Sequence, residues 1–143
     1  DGSYLAELLL DKGYTVIWSL KRNSSHSTSR IDHIKDKLIL EWCDVTDQAS
    51  VFKIISKYQP SEIYHLAAQS DVRVSFDQPA YTLLATGMST LNVLEAVKIF
   101  IPNAKVYISG SSEQFGNTID EDGYQRETTP MNPVSPYGAA KLY

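Results

Sequence analysis

Residues 47–70, DQASVFKIISKYQPSEIYHLAAQS, contain the step that decides the fold. Val51, Ile54, Ile55 and Tyr58 recur at helical spacing, which gives this segment one apolar face, and Thr46 is suited to cap its start. Pro60 has no amide hydrogen to continue a helical ladder, so the helix ends before it. Glu62-Ile-Tyr-His-Leu66 then has the length and composition of a short strand, and the small residues Ala67 and Ala68 follow its carboxyl end. A helix feeding a buried strand is part of a βαβ unit, and that unit implies a parallel sheet.

The same alternation extends outward in both directions. Upstream, Tyr4, Leu5, Leu8 and Leu9 keep helical spacing and Gly13 stops the helix. Tyr14-Thr-Val-Ile-Trp18 and Leu38-Ile-Leu-Glu-Trp42 are apolar strand segments. Between them lies a serine-rich loop from Lys21 to Arg30, with a helical turn expected at Ile31–Ile34. Downstream, a long helix is predicted from Ala80 to Phe100, with Leu84, Met88, Leu91 and Leu94 facing inward. Lys105–Ser109 is the next strand, 116–136 is an irregular proline-bearing loop, and a helix begins near Tyr137. The order α, β, β, α, β, α, β, loop, α predicts an α/β fold, a doubly wound parallel sheet of Rossmann type without its first strand. In such sheets ligands bind beyond the carboxyl ends of the strands. Lys21–Ser24, Asp44–Val45, Leu66–Ser70 and Ser109–Glu113 therefore line one crevice.

The 143 residues are 43% hydrophobic and 21% charged, which excludes a disordered chain. A net charge of -4 with no basic run argues against nucleic acid as a partner. Cys43 is the only cysteine, so no intrachain disulfide forms, and a cytoplasmic location is expected. No signal-peptide pattern opens the chain and no apolar run reads as a bilayer span, so no membrane partner is expected. Residue 1 stands almost at a helix start and Tyr143 inside another helix. Domain boundaries fall in linkers, so residues 1–143 are expected to be a partial domain truncated at both ends, with a substrate-binding domain beyond Tyr143.

Tyr137 and Lys141 lie four residues apart on one helical face. Alone they are an ordinary helix pair, but a lysine cation one turn away favours the phenolate and makes it a usable proton acceptor. Ser111 follows a strand in Ser109-Gly-Ser-Ser-Glu-Gln-Phe-Gly116 and offers a hydroxyl to the same alcohol. Glu113, two positions on, points to the same side of an extended segment. Alcohol oxidation does not need a carboxylate, but removing a proton from carbon beside a ketone does. At the cofactor end, Lys21-Arg22-Asn23-Ser24-Ser25 ends the first visible strand with no acid present. A basic residue there accommodates the 2′-phosphate of NADP, where an acid would hold the ribose of NAD. Asp44 is suited either to an adenine amino group or to a helix cap.

Ser111, Tyr137 and Lys141, in that chain order, resemble the catalytic set of the short-chain dehydrogenase/reductase superfamily, in its extended branch. Five stretches together resemble GDP-mannose 4,6-dehydratases: 1–10 (DGSYLAELLL), 30–33 (RIDH), 64–70 (YHLAAQS), 74–77 (VSFD), and 127–130 (ETTP) through 135–143 (SPYGAAKLY). The resemblance implies that Asp1, Lys21, Arg22, Asn23, Ser24, Asp44, Val45, Leu66, Ala67, Ala68, Gln69, Ser70, Tyr81 and Lys141 contact NADP. It further implies that Ser111, Glu113, Tyr137 and Lys141 form the catalytic set, with a nucleotide sugar as substrate and a homodimer or homotetramer as the assembly. Tyr137 would help move hydride from sugar C4 to the cofactor, Glu113 would take the C5 proton, and water would leave from C6. Two features depart from the family pattern: Ser111 stands where the family has threonine, and the 117–125 loop is longer.

Two enzyme alternatives compete with the dehydratase, a reductase of the 4-keto-6-deoxy product and a C4 epimerase. Glu113 argues against the epimerase, and the basic 21–25 loop fits the dehydratase better than the reductase. A non-enzymatic alternative is a silent NADP-binding scaffold. Residues 1–143 alone are expected to show little activity, since pyrophosphate-binding glycines and a sugar pocket are not among them.

Overall fold

The computed structural model describes residues 1–21 and 28–143. Helix α1 (Gly2–Asp11) is followed by strand β1 (Ile17–Leu20) and, after a 3-10 turn at Lys35–Lys37, by β2 (Ile39–Trp42). Helix α2 (Gln48–Tyr58) leads to β3 (Glu62–His65), and the short α3 (Val72–Asp77) comes next. Helix α4 (Pro79–Thr82), a π-helical segment (Leu83–Met88) and α5 (Ser89–Phe100) form one continuous helix. Strand β4 (Lys105–Ile108), a 3-10 turn (Ser112–Gln114) and helix α6 (Pro136–Leu142) complete the described elements.

The strands form two parallel pairs, β1 with β2 and β3 with β4, in register Ile17 to Ile39 and Glu62 to Lys105. Each pair carries its own apolar layer. Trp18 and Leu40 pack against Ala6 of α1 and against Ile31, Ile34 and Leu38. Ile63 and Val106 pack against Val51 and Ile55 of α2 and Val93, Ala96 and Val97 of α5. Phe52 and Phe100 close that cluster edge to face at 5.5 Å. The result is an α/β fold with parallel strands, as the alternating pattern predicts.

Several local expectations need correcting. The first strand lies at Ile17–Leu20 rather than 14–18. Leu9 and Leu10 carbonyls accept from Tyr14 and Gly13 amides in a Schellman stop, and this consumes the start of the apolar run. The α2 cap is Asp47, whose carboxylate accepts from the Ala49 amide, not Thr46, whose own amide and hydroxyl are held by Asp44.

The inward face of the long helix is also not the one predicted. Leu84, Leu91 and Leu94 are exposed, while Thr82, Ala85, Thr86, Ser89, Asn92, Val93, Ala96 and Val97 are buried. The π segment adds a residue to one turn and rotates the stripe, so a 3.6-residue count started at Leu84 follows the wrong face. Buried hydroxyls on this face return to helix carbonyls, Thr82 to Gln78 at 2.8 Å and Ser89 to Ala85 at 2.9 Å. By length and composition alone Pro79–Phe100 could also cross a membrane, with a mean hydropathy of 1.3. Its small-residue face, however, packs on α2 and α6.

His65, at the carboxyl end of β3, is buried and its Nε2 lies 3.0 Å from Ser89 Oγ. Burial, with the Lys141 ammonium as a lesser cause, pushes its pKa from the usual 6.5 down to about 4. The unfolded chain therefore binds more protons between those values, and stability is lost as pH falls through that window. The loss is at most roughly 3 kcal/mol. Urea midpoints measured between pH 7 and pH 4 should show the decline, and His65→Gln should flatten it.

Candidate functional site

The segment after β4 is fastened to α6 at four points. Lys141 Nζ donates to the Ser109 carbonyl at 2.6 Å and lies 3.3 Å from Ser109 Oγ. Gln114 bridges the two elements, its Oε1 accepting from the Ser111 amide at 2.9 Å and its Nε2 donating to the Lys141 carbonyl at 3.0 Å. Ser135 Oγ donates to Glu113 Oε2 at 3.1 Å. Gly138 supplies the fourth point by having no side chain, because a Cβ there would overlap the Glu113 carbonyl oxygen.

Local sequence explains both partners of this clasp. Pro136 pushes Ser135 into the extended region (φ -127°, ψ 152°), where its hydroxyl turns back to accept from the Gly138 amide at 3.0 Å and caps α6. Ser111 is likewise extended (φ -155°, ψ 144°) and caps the 3-10 turn, with its Oγ accepting from the Glu113 amide at 3.2 Å. With that oxygen already accepting, the Ser111 proton remains free to donate outward. Tyr137 is buried as a ring, and its hydroxyl has no hydrogen bond among the described residues.

Two sequence-based expectations change here. The chain does not stay extended past Ser111, so strand alternation does not aim Glu113. The carboxylate is directed by Ser135 instead. Lys141 shares a helical face with Tyr137, yet its ammonium is 6.0 Å from the ring centroid and is held by Ser109. Burial lowers the Lys141 pKa below its usual value. Gln114 and Ser135 were not singled out in the sequence, although both have a signal: Ser111-x-x-Gln114 is a capping-box pattern, and a serine before proline marks a helix start.

Beyond the carboxyl ends of β1 and β2, Lys21, Asp44 and Tyr81 come together. Lys21 Nζ donates to Tyr81 Oη at 3.0 Å and lies 3.8 Å from Asp44 Oδ2. The Tyr81 contact, with Asp44 as a lesser cause, raises the Lys21 pKa and keeps the group charged. Asp44 Oδ1 accepts from the Thr46 amide and hydroxyl, which pulls its pKa down. Asp44 is thus not the cap of α2, which is Asp47; one of its oxygens orders the turn before that helix and the other faces Lys21. The Val45 carbonyl accepts from Asn92 Nδ2 at 3.0 Å. Arg22, Asn23 and Ser24 lie outside the described residues. A cavity of about 280 Å³ opens beside the ends of β1 and β2, lined by Leu20, Thr28, Lys35, Leu40, Glu41 and Trp42. It does not include the Ser111–Tyr137 cluster.

The 66–70 segment follows the carboxyl end of β3. Leu66 and Ala67 are exposed past β3, beside Ser109, whose amide donates to the His65 carbonyl at 3.3 Å. Gly2, next to Asp1, packs near Leu66 and Trp18. Ala68 is half-buried and Ser70 exposed. Gln69 is tied inward, its Nε2 donating to Thr82 Oγ1 and its Oε1 accepting from the Asp71 amide. Its main chain is tied inward as well, the amide donating to Thr86 Oγ1 at 3.2 Å and the carbonyl accepting from that hydroxyl at 3.4 Å.

The family model described as GDP-mannose 4,6 dehydratase matches residues 1–143. GDP-mannose 4,6 dehydratase of Homo sapiens is 46% identical over 153 residues, covering 100% of this chain and 41% of that protein. GDP-mannose 4,6-dehydratase of Sinorhizobium fredii is 45% identical over 152 residues, covering 100% of this chain and 43% of that protein. The chain thus spans about two fifths of the length of these curated relatives. Among solved structures, the UDP-Glc/GlcNAc 4-epimerase from Campylobacter jejuni has a TM-score of 0.85 at 22% identity, covering 99% of this chain and 42% of its own. UDP-glucose 4-epimerase from Brucella ovis in complex with NAD has a TM-score of 0.77 at 27% identity, covering 99% and 41%.

Proposed function

This chain belongs to the GDP-mannose 4,6-dehydratase family, and from that membership together with the clasp around Glu113 we propose that the full-length protein is a lyase. It converts GDP-mannose to GDP-4-keto-6-deoxymannose. The single observation that carries the reading is the Glu113 carboxylate, held by Ser135 two residues before Tyr137, while the Glu113 amide donates to Ser111 Oγ. Alcohol oxidation or epimerisation at C4 has no use for it.

The donor set at the crevice suits NADP. A charged Lys21 at the end of β1, with no acid in its place, fits a 2′-phosphate, and the Asp44 carboxylate fits an adenine amino group. When bound, NADP supplies a hydride acceptor and then a donor, so the hydride lost at C4 returns at C6. Tyr137 accepts the C4 hydroxyl proton while Ser111 donates to the same oxygen and orients it. The new ketone acidifies the C5 hydrogen, and Glu113 removes that proton. The C6 hydroxyl leaves, and the proton and hydroxide together make one water. A proton delivered back to C5 balances the one taken at C4. Lys141, fixed to Ser109, holds a positive charge 6.0 Å from the Tyr137 ring centroid, which favours the phenolate.

Three structural features support a larger and oligomeric protein. Tyr64 and Tyr107 are exposed on one face of the β3–β4 pair, and among the described residues each strand pair has unpaired outer edges, which further chain would cover. On this proposal residues 1–143 are part of a longer NADP-binding domain. Leu83, Leu84, Leu91 and Leu94 are exposed along the 79–100 helix and suit a homodimer or homotetramer. The lone Cys43 fits a cytoplasmic setting.

The reading is tested by supplying the full-length protein with GDP-mannose and NADP and following product and cofactor together. A 4-keto product formed with no net change in NADPH is expected. Stoichiometric NADPH oxidation on a 4-keto-6-deoxy substrate would establish the reductase alternative. Cofactor binding without turnover would establish the scaffold.

A further inference from the structure

We infer that Ser135 is the positioning residue that holds the Glu113 carboxylate for removal of the C5 proton. The inference rests on the dehydratase reading above and deepens it.

The hydroxyl of Ser135 has one proton and, by geometry, one acceptor for it. Its oxygen already accepts from the Gly138 amide at 3.0 Å, so the proton points to Glu113 Oε2 at 3.1 Å. Ser135 is only 6% exposed, so water does not compete freely for that bond. Glu113 Oε1 makes no hydrogen bond among the described residues, which leaves one carboxylate oxygen for the substrate. The Glu113 main chain is pressed on the same helical turn at Gly138. Backbone and carboxylate are thus both referenced to α6, the helix that carries Tyr137. The spacing Ser135-Pro-Tyr137 ties the group that opens the reaction to the group that performs the elimination. A carboxylate freed from Ser135 would sample other rotamers, and a displacement of about 1 Å at a reacting group can cost on the order of 100-fold.

The test uses single turnovers of the full-length protein on GDP-mannose, following reduced-nicotinamide absorbance and release of the 4-keto-6-deoxy product. Ser135→Ala should leave the appearance of reduced cofactor nearly unchanged and slow product formation roughly 10- to 100-fold, so that reduced cofactor accumulates. Ser135→Thr keeps the hydroxyl and should restore turnover. Ser135→Asp keeps a cap for the Gly138 amide but replaces the hydroxyl donor with a carboxylate, so it should fold and accumulate reduced cofactor even where the alanine variant does not fold. Equal slowing of both steps, unchanged turnover, or parity of the threonine and alanine variants would overturn the inference. Glu113→Gln separates it from the reading beneath. If that variant accumulates reduced cofactor and the Ser135 variants do not, only the role of Ser135 fails. If Glu113→Gln turns over normally, the dehydratase chemistry assigned to Glu113 fails with it.

Discussion

Tyr137→Phe in the full-length protein should lower kcat by about 10³- to 10⁴-fold while NADP binding persists. The ring is 8% exposed and sits within the packed start of α6, so phenylalanine keeps its contacts and the fold. What disappears is the hydroxyl, which is not used by any hydrogen bond within the described residues and so has no structural duty to lose. On the proposed reaction the proton transfer at C4 comes first, so no reduced cofactor should accumulate in single turnovers. That separates this variant from those at Ser135 and Glu113, which stall after the first hydride has moved. Turnover within tenfold of the wild type would remove Tyr137 from the chemistry, and with it the reason for the Lys141–Ser109 tether.

The second large effect is on stability. Gly116 has φ +58°, and a Cβ there would overlap the Asn132 carbonyl oxygen. Gly116→Ala therefore meets a left-handed backbone penalty and a backbone overlap that no side-chain rotation relieves. Together these should cost about 3–5 kcal/mol. The measurement is the urea midpoint, with the slope checked for constancy. The displacement would be felt beyond stability, because Asn132 leads through Pro133 and Val134 into the Ser135 cap. A midpoint unchanged from the wild type would mean that the 112–116 turn and the 132–135 strand of chain do not approach as described. Gly123, also at positive φ (+84°) but with open space around it, is the contrasting position, since alanine there meets only the backbone penalty.

The 117–125 loop is tied to the residues that follow it. Arg126 reaches Asp120 at 2.9 Å and Asp122 at 2.6 Å, and Thr129 Oγ1 donates to Asp120 at 2.8 Å. These charges are exposed and each pair contributes little on its own. Their combined effect is to fix the path of the chain from the 3-10 turn to the Ser135 cap. None of this could be read from composition, because the partners are distributed over ten residues of irregular backbone and no period marks them.

Helix α2 and strand β3 were legible because their information is local: four apolar residues at helical spacing, a proline stop, and a β-branched and aromatic run. The same holds for the order of the strands and of the principal helices, since each is marked by its own hydrophobic period, while the short α3 has no such mark. The long helix was misread because its inward face is built of Ala, Ser, Thr and Val and its largest side chains point out. A hydrophobic count cannot see a π segment that shifts the register by one residue. The aim of Glu113 was also beyond the sequence. A carboxylate takes its direction from a hydrogen-bond partner, and that partner, Ser135, lies 22 residues away and is brought close only when α6 docks against the end of β4.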